Sequence, residues 1–466
     1  MQTIDGAFVF VFLGLMHMGI SSALAKDTNT APQKVFNAKT RKLDNGLQIV
    51  VVENHRAPVI THMIWYRVGA ADEVAGQSGI AHFLEHLLFK GQKHEQLGTL
   101  GPGEFSKIIR SLGGEDNAFT SQDYTAYFQS IASQHLETVM TMEAGRMRGL
   151  DVPSEDVASE NKVIQEERRQ RTENNPGALL DEQMREMLYA NHPYGIPVIG
   201  WLHEIQALTR DQIFAFYNQY YAPNNAILIV SGDIKAEKVY EIAERTYGIL
   251  KPETIPPRQY TSSPPFKASP SITMKDETVR QPEFKKIFRV PSFRQNKEKS
   301  LALQVLEEIM GGGPSSRLYK SLVIEQKLAT SASFSYRANN WSDSTLYITA
   351  TPAADQSLLK VQAAIDAELR KLVKDGITDE ELSDAIKRMQ AAAIYARDSL
   401  SGPAMVIGYN LITGSTLDDI EYWPRDIGAV TKEQILSVAK TYLDPDNPYE
   451  FPPVTGYLVP EAGEEQ

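Results

Sequence analysis

Along the chain, the period of the apolar positions alternates between that of strands and that of helices. Residues 40–53 (TRKLDNGLQIVVVE) hold two β-rich runs about Asn45-Gly46, a dipeptide suited to a type I′ hairpin turn. Residues 59–68 form another β-rich run. In residues 79–89 the apolar side chains Ile80, Phe83, Leu84, Leu87 and Leu88 fall at helical spacing. A second short helix is predicted over 103–112, closed by Gly113-Gly114. Residues 117–130 alternate like a strand, 136–148 and 154–171 read as longer helices, and 226–231 (AILIVS) as a buried strand.

Residues 251–272 are rich in Pro and Ser and read as a linker between two portions of similar size. The portions echo each other. Leu208-Thr209-Arg210-Asp211-Gln212-Ile213 followed by Tyr221-Ala222-Pro223-Asn224-Asn225 recurs as Val430-Thr431-Lys432-Glu433-Gln434-Ile435 followed by Leu443-Asp444-Pro445-Asp446-Asn447. Helix-cap chemistry alone reuses Thr before an acidic residue, but two motifs in the same order favour an internal duplication. The expected division is 1–25 as a signal peptide, 34–250 as a first domain, 251–272 as the linker and 273–466 as a homologous second domain.

Composition narrows the chemistry. The 466 residues exceed one ordinary core, and 42% hydrophobic with 23% charged residues is usual for a globular chain. A formal charge of −12 argues against non-specific nucleic-acid binding, which rests on Lys and Arg neutralising phosphates. With no cysteine, disulfides, thiolate ligands and cysteine nucleophiles are excluded, so any metal falls to His, Asp or Glu. The apolar run 7–18, followed by Ala23-Leu24-Ala25, resembles an export signal with its cleavage site, although residues 1–6 hold Asp5 and no Lys or Arg. An anchoring helix is the rival reading. The expectation is a bacterial periplasmic or secreted protein with no membrane association beyond that segment.

The sharpest chemical signal is His82-Phe83-Leu84-Glu85-His86. Two histidines four apart share one helix face and can reach one cation. Glu85, on the same side, can take a proton from an attacking water without being a ligand. The bland alternative is a buried helix with satisfied histidines, but an HxxEH arrangement is among the known inverted zinc signatures. The order HExxH occurs nowhere; His94-Glu95 and His203-Glu204 read as surface pairs. Catalytic zinc takes three protein ligands and keeps one position open. Glu160 and Glu167, seven apart in 160–167 (ENKVIQEE), line one helix face, although spacing alone equally admits a solvated charged helix.

These motifs together resemble the pitrilysin/insulinase family of zinc metallopeptidases, in the short two-domain branch with mitochondrial processing peptidase and bacterial relatives. The likeness rests on 78–91 (SGIAHFLEHLLFKG), 103–114 (GEFSKIIRSLGG), 117–128 (NAFTSQDYTAYF), 160–167, 220–233 (YYAPNNAILIVSGD) and 311–322 (GGGPSSRLYKSL). It implies an α+β fold of two tandem homologous domains facing each other as a clamshell, each a mainly antiparallel sheet packed with helices. It implies one zinc per chain on His82, His86 and Glu167, with Glu160 as a supporting acid and Glu85 as the base. It also implies an edge strand, Asn117, Ala118, Phe119 and Thr120, to which a peptide substrate adds as a further strand in a closed chamber. All nine histidines lie at or before His203, so a duplicated second half has no zinc site of its own and would serve as a lid. Self-sufficient members bring an Arg and a Tyr, seven apart, from the second domain; Val323 and Thr330 stand there instead. That departure implies a heterodimer with a paralogue supplying the Arg–Tyr pair, or else a homodimer. A non-catalytic peptide-binding or scaffold subunit, and a dedicated processor of one precursor peptide, are the alternative functions.

Overall fold

The computed structural model describes residues 34–461 apart from 95–97, 266, 448 and 450; the expected export segment, 1–25, lies outside the described residues. The first half builds a six-stranded sheet from β1 (Lys39–Lys42), β2 (Gln48–Glu53), β3 (Val59–Tyr66), β6 (Glu115–Thr120), β7 (Thr125–Ala132) and β8 (Ala226–Gly232), in the order β1-β2-β8-β3-β7-β6. A separate two-stranded ribbon, β4 (Gln92–His94) with β5 (Gly98–Leu100), follows the first helix. The second half builds β9 (Ser271–Asp276), β10 (Glu283–Val290), β11 (Ala329–Tyr336), β12 (Ser344–Pro352) and β13 (Val454–Pro460) into a sheet of order β11-β12-β10-β13-β9.

The two sheets share one topology. In the first, β3 lies antiparallel between β7 and β8, with β2 parallel to β8 on one flank and β6 beyond β7 on the other. In the second, β10 lies antiparallel between β12 and β13, with β9 parallel to β13 and β11 beyond β12. The echo at Thr209 and Thr431 has the same physical meaning in both halves. Each threonine N-caps a helix in a capping box, with Gln212 or Gln434 reaching back.

Strand alternation sends side chains to opposite faces of the first sheet. Ile49, Val51, Ile64, Tyr66 and Leu228 join the core that holds Phe83, Leu84 and Leu87. Val50, Val52, Met63, Trp65, Ile227 and Ile229 face the other way and are covered by Ala404, Ile407 and Leu411, from helix Gly402–Ile412 of the second half. The exchange is reciprocal: helix Pro176–Leu188 of the first half lays Leu180, Met184 and Leu188 on Ile287, Val454 and Leu458 of the second sheet. Residues 251–270 contain no helix or strand among their described positions, but they are not slack. Arg258 makes a two-pronged ion pair with Asp72 at 2.7 and 2.8 Å. The carboxylate of Asp123, in the β6–β7 turn, accepts from Tyr194, from Tyr260 and from the N–H of Trp341. Each buried apolar side chain contributes about 1.5–3 kcal/mol, so a second half swinging freely as a lid would have to give up much of this packing.

Three sequence expectations need correction. Residues 117–130 are two strands, since Ser121-Gln122-Asp123 turns the chain and the Ser121 N–H donates to the Tyr124 carbonyl at 2.8 Å. The first hairpin closes with a five-residue loop and not a type I′ turn. Gly46 alone takes positive φ, while the Asn45 amide is drawn into bonds to the Tyr247 and Leu250 carbonyls. The helix expected over 154–171 is α-helical from Ser154 to Arg168 and widens into a π-turn over Arg169–Glu173.

Candidate metal centre

The HxxEH segment is a helix of eight residues, Ile80–Leu87, all of them buried. It starts at Gly79, whose φ of +88 suits glycine, and a Cβ there would lie 2.5 Å from the Ile199 carbonyl oxygen. The Glu73 carboxylate accepts the N–H groups of Gly79 and Ala81, both at 2.9 Å, supplying partners that the first turn of a helix lacks. Phe83, Leu84 and Leu87 bind the helix to the sheet, and this fixes the direction of the remaining face.

On that face the two histidines approach helix Ser154–Arg168. His82 Nε2 is 3.8 Å from Glu167 Oε1, and His86 Nε2 is 3.2 Å from Glu167 Oε2. One donor atom from each of His82, His86 and Glu167 lies within 4.8 Å of the others, the only such trio of candidate ligands among the described residues. His86 Nε2 is buried without a hydrogen bond, an expensive state that a metal ion would relieve. Two imidazoles and one carboxylate are also the donor types of a catalytic zinc. The residues therefore fit zinc, with His82, His86 and Glu167 as the group to hold it.

Supporting contacts orient this trio. Glu160 Oε1 lies 2.9 Å from His86 Nδ1, and its other oxygen meets Lys90 Nζ at 2.5 Å. A carboxylate on the far nitrogen directs Nε2 toward the cation and raises its basicity. Burial alone would lower the His86 pKa, but its bond with Glu160 and the Glu167 carboxylate close by raise it to about 9. Burial and the neighbouring His86 push His82 down to about 3, which keeps it neutral and available as a ligand. Burial acts upward on Glu167, yet His86 close beside it and the charges of His82 and Arg171 bring it to about 2. Glu85 sits beside the trio with burial lifting its pKa to about 7. Its Oε2 accepts from Thr120 Oγ1 at 2.6 Å, while Oε1 is buried without a partner.

The edge strand β6 ends the sheet on this side. Its four candidate substrate residues do not act alike. Thr120 holds Glu85; Ala118 is fully buried in the core beneath the motif helix; Asn117 turns its side-chain oxygen back to the Ala118 N–H. Phe119 packs in the opposite layer against Trp65 and Tyr409, so only its backbone can meet a strand added at this edge. His203 is exposed on the surface. Sequence reasoning missed Glu73, Lys90 and Arg171, the last pairing with Glu167 at 3.0 Å. Glu73 and Lys90 carry no spacing signal; Arg171 stands four residues after Glu167, the one pattern that spacing could have flagged.

Comparison with known proteins gives concordant matches. Residues 48–200 match the family model described as insulinase (peptidase family M16), and residues 207–389 match the peptidase M16 inactive domain. The chain is 32% identical to the zinc protease PqqE of Helicobacter pylori over 404 residues, 86% of this chain and 89% of that one. A crystal structure of a protease from Helicobacter pylori superposes with a TM-score of 0.84 at 30% identity, covering 92% of this chain and 100% of that one. The periplasmic protease PqqL from Escherichia coli shares the fold, with a TM-score of 0.74 at 18% identity, and this chain covers 48% of its length.

Proposed function

Since the chain belongs to the insulinase family of M16 zinc peptidases, we propose that it hydrolyses peptide bonds at the His82–His86–Glu167 centre, with one zinc ion per chain and Glu85 as proton carrier. The observation that carries this reading is the convergence of two imidazole nitrogens and a carboxylate within 4.8 Å, with an unpartnered Glu85 oxygen beside them. Zinc, when bound, supplies Lewis acidity toward the scissile carbonyl and the attacking water. Glu85 takes the water's proton and returns it to the leaving amine. A carboxyl group with pKa about 7 is suited to both directions of transfer near neutral pH. Thr120 fixes one Glu85 oxygen and leaves the other for that proton. Glu160 holds His86 in the orientation that a ligand needs. An extended peptide adds to the free edge of β6, held by backbone ladder bonds that read little side-chain sequence.

The chamber that confines the peptide is completed by another chain. Two observations support this: the second half is packed on the face of the first sheet away from the motif helix, and it offers Val323 and Thr330 where self-sufficient relatives have Arg and Tyr. The partner is a paralogue carrying that pair, with a homodimer as the rival arrangement. The protein acts in the periplasm, reached through the apolar segment 7–18, and its substrates are short or unfolded peptides. Metal analysis of the purified chain, with hydrolysis of a quenched peptide before and after chelation, tests the reading. One equivalent of zinc and chelator-sensitive cleavage are expected; peptide binding with no cleavage, alone or with the paralogue, would favour a scaffold subunit.

A further inference from the structure

Glu167 is followed by a buried side chain that binds three separate segments around the metal centre. Arg168 is the last residue of helix Ser154–Arg168 and is 4% exposed. Its guanidinium donates through NH1 to Glu182 Oε2 and through NH2 to Glu182 Oε1, both at 2.9 Å. NH1 also donates to the Gly200 carbonyl at 2.9 Å, and Nε donates to Glu173 at 3.1 Å. The guanidinium carbon lies over the Trp201 ring, 5.8 Å from its centroid.

Each of these contacts has a distinct mechanical consequence. Gly200 is pressed against the start of the motif helix: a Cβ on it would lie 2.5 Å from the Ser78 carbonyl oxygen and 2.7 Å from the Gly79 Cα. The Trp201 N–H is bound to Ser78 Oγ at 2.9 Å. The bond from Arg168 to Gly200 thereby ties the helix carrying Glu167 to the origin of the helix carrying His82 and His86. Glu182 lies on helix Pro176–Leu188, which packs on the second sheet and joins it again through Asp181 and Lys285 at 2.9 Å. Glu173 closes the π-turn that begins straight after Arg168. An α-helix end is where frayed geometry is ordinarily found, and Glu167 sits one residue from that end.

We propose that Arg168 is a positioning residue of the metal centre: it holds Glu167 in register with His82 and His86, and links that register to the seating of the second half. The proposal rests on Glu167 being the third ligand. Arginine is required because a planar fork with several donors serves Glu182, Gly200 and Glu173 at once, which a lysine cannot do.

The test is zinc affinity, measured on the full chain by competition with a chromogenic chelator well below the melting temperature. Wild type is compared with Arg168→Gln, Glu182→Gln, Glu167→Ala and the exposed neighbour Arg169→Gln. Arg168→Gln is expected to weaken zinc binding roughly 10- to 100-fold, Glu182→Gln less, and Arg169→Gln not at all. In the cobalt-loaded protein the visible bands should shift in the Arg168 and Glu182 variants, which a purely structural loss of stability would not produce. If Arg168→Gln does not fold, Glu182→Gln decides by the same two readouts. Wild-type affinity and spectrum in the Arg168 and Glu182 variants, with metal lost from Glu167→Ala, would overturn the proposal. Full zinc retention by Glu167→Ala would remove the ligand assignment and the proposal with it.

Discussion

Glu85 is buried and Glu167 partly so within one small site, and their surroundings set them apart as the proposed roles require. Glu167 is drawn to about 2 by histidines and Arg171 and stays an anion, as a ligand must. Glu85 faces burial with one hydroxyl partner and rises to about 7, as a proton carrier should. Glu85→Gln should therefore retain zinc and lose nearly all turnover, by several orders of magnitude, since each acid–base role contributes roughly 10²–10⁴. Turnover near the wild-type rate in that variant would end the proposed mechanism. Glu167→Ala should lose metal and activity together. Glu160→Ala should keep much of its zinc, because its contact is to the far nitrogen of His86, but should turn over more slowly. Metal analysis alongside the peptide assay separates the two outcomes.

At the level of elements, the second half's helix Lys297–Gly311 follows β10 as the motif helix follows β3, but its inward acids have a different fate. Glu308 is paired with Arg388 at 2.5 Å. Burial pushes Glu307 up to about 8, only partly offset by the N–H of Tyr336. A carboxyl whose folded pKa lies above its unfolded value holds its proton longer when folded. It therefore lowers stability progressively from about pH 4.5 to about pH 8. Glu307→Gln should accordingly raise the melting temperature at pH 8.5, with the gain vanishing toward pH 4.5. An equal gain at both pH values would show that the carboxyl is not the cause. Helix Gly402–Ile412 makes a second point. A Cβ on Gly408 would stand 2.1 Å from the Trp65 indole, so the helix seats on the first sheet only because that position is bare. Gly408→Ala should cost about 1–3 kcal/mol by overpacking, read from urea unfolding.

For the whole molecule, the two homologous halves are packed into a joined unit. Reciprocal helices, the Arg258–Asp72 pair and the Asp123 junction hold them together, while the motif helix lies on the opposite face of the sheet from the second half's covering helix. In the proposed reading a separate body encloses the substrate. Adding the paralogue with its Arg–Tyr pair should raise peptidase activity about tenfold or more, because donors aimed at a developing oxyanion contribute roughly 10²–10³ in rate. Full activity of the isolated chain, unchanged by the paralogue, would rule the partner out.

Much of the site was legible in one dimension because helical periodicity is a local property. His82, Glu85 and His86 lie within five residues, and the i, i+4 rule alone puts both histidines on one face. The repeated capping boxes at Thr209 and Thr431 announced two halves for the same reason: a cap is made by neighbours. Glu160 and Glu167 were a face without a destination until a family resemblance gave them one, since spacing cannot tell a solvated acid from a ligand 80 residues from its partners. What only the tertiary structure decided depends on groups distant in sequence. Burial sets the Glu85 pKa, an exchange of helices binds the halves, the Asn45 side-chain amide is held by carbonyls some 200 residues away, and Arg168 meets Gly200 and Glu182. None of these has a local signature, because desolvation and close packing exist only once the chain has folded.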